Sequence, residues 1–175
     1  MEVNIKYIND DDKCLGITGM AIAIVVWDAE SLVSGISLDA PSDSSIEFMQ
    51  EYYFQCSPSV SAKVAWDKVL ERFRLSVGLL VSNVLCRRLV GSHSQSTREE
   101  VALLREMIGE EGRYLCSLEE DEIDAVFNKT YTYVNRIFSH SGVQEVARRF
   151  AGKLTSLRSM TIGDISEELA ALRML

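Results

Sequence analysis

The chain has 175 residues, a net charge of −8, and 47% hydrophobic and 25% charged residues, the composition of an ordinary globular domain long enough to bury a sizeable core. The acidity is local: residues 1–55 carry ten acids against Lys6 and Lys13, while 56–175 are balanced. Such a chain repels phosphate backbones, so nucleic-acid binding is not expected, and no uncharged run is long enough to span a membrane.

Val3, Ile5 and Tyr7 alternate with polar residues and suggest a short strand, followed by a turn or exposed loop at Asn9–Asp12. Residues 17–38 fit two readings. One is a hairpin of two apolar strands; the other, which we favour, is a helix from about Thr18 stopping at Gly35. A loop around Pro41 and a short helix over Ile46–Phe54 come next.

The dominant feature is a helix from Ser59 to about Val90. Trp66, Val69, Leu70, Phe73, Val77, Leu80 and Val84 recur at spacings of three and four. Trp66, Phe73, Leu80 and Val84 are expected in the core. After Arg74 the other faces turn apolar too, and no charge occurs between Leu75 and Cys86. A helix apolar on all sides must be covered by its own domain or by a second subunit. Gly78, Ser82 and Cys86 form a small-residue stripe that admits another helix closely. Ser76 and Asn83, polar within the apolar stripe, are either satisfied inside the core or set partner choice.

Ser96 with Glu99 predicts a helix ending by Gly112, and Ser117 with Glu120 a second one running to about Ser139. Val143–Leu157 forms another, and Thr161 with Asp164 starts the last. The expected fold is mostly α: a single domain over 1–175, a compact multi-helix bundle around the helix at 59–90, with a small N-terminal β element and the acidic third 1–55 packed on the helical region 56–175.

No motif for nucleotide, hydrolytic or metal chemistry is present. Cys14, Cys56, Cys86 and Cys116 are far apart and read as reduced thiols, so neither metal nor cofactor is expected. Cys116 precedes the proposed cap Ser117, but the acids Glu119–Asp124 oppose any thiolate there. That acidic cluster complements a helix dipole. The two last helices resemble a helix-turn-helix in outline, yet the second carries Asp164, Glu167 and Glu168, the wrong sign for a groove.

The start MEVNIKYINDDDK lacks the basic end of a secretory signal, so a cytoplasmic protein is expected. The best functional reading is a non-enzymatic protein that acts through protein contacts as a homodimer. The apolar surface at 75–90 and the apolar C-terminus motivate it. The alternative is an enzyme or ligand-binding protein with an inter-helix pocket near His140, lined by Tyr131, Tyr133 and Arg136.

Overall fold

A computed structural model describes residues 6–53, 62–91 and 98–174. Among them are six α-helices, α1 (Asp10–Val26), α2 (Ala62–Leu89), α3 (Arg98–Cys116), α4 (Glu120–Ser139), α5 (Ser141–Leu157) and α6 (Ile162–Glu168). Three short strands join them, β1 (Val33–Ser37), β2 (Ile46–Phe48) and β3 (Ser159–Thr161). The fold is a mostly helical bundle with a small sheet.

The N-terminal third differs most from expectation. The turn expected at Asn9–Asp12 is the start of α1: Asn9 is the N-cap, its side-chain oxygen accepting from the Asp12 amide at 2.9 Å. Three aspartates in the first turn oppose the helix dipole favourably. From Gly16 to Val25 every residue is buried, so α1 has no polar face. It ends at Trp27, well before Gly35, because Asp28 takes a left-handed φ of 51°. Gly35 belongs instead to β1, where a Cβ would sit 2.7 Å from the Met160 carbonyl oxygen across the β3 pairing.

The helix expected over Ile46–Phe54 is replaced by β2 and a 3-10 turn at Gln50–Tyr52. Ile46 pairs with Ile36 and buries its side chain, which alternation in a strand achieves and a helical turn there would not. The sheet order is β2-β1-β3, antiparallel throughout, with a register shift between Val33 and Gly35. Of the strand expected at Val3–Tyr7, Val3 and Ile5 lie outside the described residues. Tyr7 is in no strand; its ring lies against the Arg87 guanidinium, 4.9 Å from the centroid.

α2 is the axis of the bundle, packed against α1, α3 and α4. Leu75, Val77, Leu79, Val81, Leu85 and Cys86 are all buried within the one chain. The small-residue stripe receives α1. A Cβ on Gly19 would lie 2.2 Å from the Ser82 carbonyl oxygen and 2.6 Å from the Cys86 Cβ, and Gly78 lies under the Trp27 ring. Ser76 bonds the Tyr52 hydroxyl and Asn83 the Tyr7 hydroxyl. Most of what invited a second subunit at α2 is thus met inside the chain, although Leu80, Val84 and Leu89 are only half-buried. Near the C-terminus Leu169 is buried and Leu172 packs against the core, while Leu175 lies outside the described residues.

Phe73 is buried, but Leu80 and Val84 are half-buried and Trp66 is 42% exposed. Trp66, Asp67 and Lys68 near the start of α2 are all exposed. The start expected at Ser96 lies outside the described residues, and α3 continues beyond Gly112 to Cys116. The cap expected at Ser117 falls at Glu119, which forms a capping box with Glu122, because Ser117 takes a left-handed φ of 49°. The box at Thr161 and Asp164 is as expected.

Candidate functional site

Four places hold chemistry-bearing side chains. The first is buried between α1 and α2. Arg87 donates through Nε and Nη2 to the two carboxylate oxygens of Asp12, at 2.7 and 2.5 Å. Tyr7 lies on the guanidinium and accepts from Asn83 Nδ2 at 2.8 Å. Gly16 makes room: a Cβ there would meet Asn83 and the Tyr7 ring at 2.7 Å. Burial raises the Tyr7 phenol, partly offset by Asn83 and Arg87. These groups bind one another and lock two helices together.

The second lies where the turn after β2 meets α2 and α3. The Tyr52 hydroxyl bonds Ser76 Oγ at 3.1 Å, and Arg72 donates to the carbonyls of Glu51 and Tyr52. Phe48 stacks on Tyr52 with centroids 3.8 Å apart. Burial raises the carboxyl of Glu111 above the usual range, with a hydrogen bond to Ser76 working against it. The Cys116 thiol is pushed up to about 11 by burial and then by the Glu111 charge. A raised thiol is a poor nucleophile.

The third is a groove of about 280 Å³ beside the sheet, whose lining includes Ser34, Ser37, Ser159, Thr161, Glu47 and Asp164. The Asp164 carboxyl is held low by its hydrogen bonds to Thr161, where it is spent on capping α6.

The fourth comprises the outer faces of α3 and α4. The sequence singled out Tyr131, Tyr133, Arg136 and His140, and the structure brings three of these together. Tyr133, Arg136 and His140 follow at intervals of three and four, as does Lys129 before them, and all four are exposed. His140 ends α4 as its C-cap, its amide donating to the Ile137 carbonyl at 3.1 Å. Tyr133 meets Trp27 edge-on, with centroids 5.6 Å apart. Tyr131 is turned away, stacked on Phe127.

α3 presents a matching stripe of opposite sign. Glu99, Leu103, Glu106 and Glu110 repeat the same intervals, with Tyr114 four residues on. Leu103 is 58% and Tyr114 82% exposed. The other acids near this end are engaged: Arg105 pairs with Asp124, Arg113 with Glu120 and Arg88 with Glu100. Glu99, Glu106, Glu110, Lys129 and Arg136 have no ion-pair partner among the described residues. Charge along the chain segregates accordingly. Residues 98–124 hold ten acids and three bases, and residues 125–158 six bases and one acid. The boundary falls inside α4, whose first turns carry Glu120, Asp121, Glu122 and Asp124 ahead of Lys129 and Arg136.

Among the described residues no group of three or more His, Cys, Asp or Glu is arranged to hold a metal ion. None of their helices is long and apolar enough to cross a membrane. No protein-family model, curated protein or solved structure matches the chain.

Proposed function

We propose that the protein works through contacts with other protein molecules, as a self-associating cytoplasmic protein whose smallest assembly is a homodimer. One observation carries this reading. The outer stripe of α3 exposes Leu103 and Tyr114 with half-buried Met107 between them, while the rest of the helix packs on α2 and α4. A lone exposed leucine is ordinary. Several large apolar side chains on one stripe, rimmed by carboxylates with no ion-pair partner among the described residues, fit an interface. The alternative pocket at His140 has weaker support, since Tyr131 turns inward, away from the other three.

Sedimentation equilibrium at micromolar concentration tests the reading. The native chain is expected above its 19.6 kDa monomer mass. A Leu103→Asp/Tyr114→Asp variant is expected at the monomer mass. A native chain that stays monomeric throughout overturns self-association.

A further inference from the structure

The two exposed stripes have the same spacing and opposite charge. Glu99, Leu103, Glu106 and Glu110 occupy offsets of zero, four, seven and eleven along α3, and Lys129, Tyr133, Arg136 and His140 occupy the same offsets along α4. Each stripe spans about 16 Å at the helical rise. Laid side by side in parallel, Glu99 meets Lys129, Leu103 meets Tyr133, Glu106 meets Arg136 and Glu110 meets His140. In the antiparallel arrangement Leu103 faces Arg136 and Glu106 faces Tyr133, so the apolar contact and one ion pair are lost.

We propose that self-association is head to tail, with the α3 stripe of one copy packed in parallel on the α4 stripe of the next. The inference rests on the self-association reading and names its surfaces and geometry. A two-fold contact through α3 alone would crowd Glu99, Glu106 and Glu110 of both copies together, and like charges across an interface are costly. The α3–α4 contact instead joins acid to base and covers Leu103 with an aromatic ring already braced by Trp27. One head-to-tail contact uses the α3 stripe of one copy and the α4 stripe of the next, so the pair keeps one free stripe of each kind. The contact is heterologous and continues into a ring or an open chain. Assembly therefore grows with concentration and weakens with added salt, because its charges lie at the surface.

Mixing two variants tests this. Leu103→Asp/Tyr114→Asp disables the α3 stripe, and Lys129→Glu/Arg136→Glu disables the α4 stripe. All four positions are exposed, and circular dichroism establishes that each variant folds. Should the first not fold, Glu99→Lys/Glu106→Lys replaces it. Each variant alone is expected to associate about tenfold or more weakly than the native chain. Mixed one to one, they are expected to form a heterodimer that grows no further, because one intact α3 stripe meets one intact α4 stripe. If Lys129→Glu/Arg136→Glu associates like the native chain, or the mixture stays monomeric while the native chain assembles, the head-to-tail contact is overturned and self-association stands. A monomeric native chain removes both.

Discussion

Arg87, in the last turn of α2, forks onto the carboxylate of Asp12, in the first turn of α1, across 75 residues of chain. Both side chains are nearly sealed from water, at 9% and 1% exposure. Removing one partner leaves the other charge buried without its main counter-charge. Arg87→Met is therefore expected to cost about 3–5 kcal/mol in denaturant unfolding, and Asp12→Leu/Arg87→Met to recover much of that. A loss below about 1 kcal/mol for the single variant would show that water reaches the pair.

Gly19 sets how closely α1 and α2 approach. A methyl group there collides with backbone at Ser82, which cannot move without shifting α2. Gly19→Ala is expected to destabilise by about 1–3 kcal/mol or more. Gly152→Ala serves as the contrast. It sits exposed within α5 with nothing within 4 Å of the added Cβ, and is expected to gain about 0.5–1 kcal/mol. Equal effects at the two sites would mean that the helix contact is looser than described.

The raised carboxyl of Glu111 links stability to pH. Its folded pKa lies above the unfolded value of 4.5, with burial the larger cause. Below pH 4.5 both states bind the proton and the shift costs nothing. As pH rises from there towards the folded pKa, the unfolded state ionises first and stability falls. Glu111→Gln is expected to be more stable than the native chain at pH 7, with the difference closing below pH 4.5. A difference independent of pH would show that lost packing, and not titration, sets it.

Burial raises the thiols of Cys14, Cys86 and Cys116 alike. At pH 8 these three are expected to resist alkylation in the folded protein and to react within minutes in denaturant. Cys56 lies outside the described residues. Mass-spectrometric mapping of label to Cys86 under native conditions would count against the packing of α1 on α2.

Phe73 and Trp66 separate the core from the exposed start of α2. Phe73→Ala is expected to cost about 3–5 kcal/mol. Trp66→Ala is expected to cost less, about 1 kcal/mol, since the residue is 42% exposed. Thermal unfolding of the two variants distinguishes them directly.

Helices with one wet face were legible and those without were not. α4 and α5 repeat apolar residues on one side and charges on the other, and their limits emerge within a few residues. α1 is buried on nearly every side, so no periodicity survives. Its isoleucines and valines, chosen for packing, imitate a strand. β3 is three residues long and pairs with a strand more than a hundred residues earlier, a relation no local pattern carries. At the candidate site, the spacing of Tyr133, Arg136 and His140 was visible, but the inward turn of Tyr131 depends on which side of α4 meets the core. The exposed bases of α4, Lys129 and Arg136, were hidden by summing charge over residues 56–175 as a whole.

The place of β3 in the sheet has a consequence for synthesis. β1 lies between a strand ten residues downstream and another contributed by Ser159–Thr161, more than a hundred residues further along the chain. While the chain leaves the ribosome, β1 and β2 can form only a lone hairpin, marginal in water. α1 meanwhile waits first for α2 and then for α5, the helices that will cover it. Completion of the sheet awaits Ser159–Thr161, long after α1 and β1 have been synthesised. An apolar helix without its cover is the condition in which chaperones hold emerging chains, and a ribosome stalled before Ala62, where α2 begins, would display α1 to them.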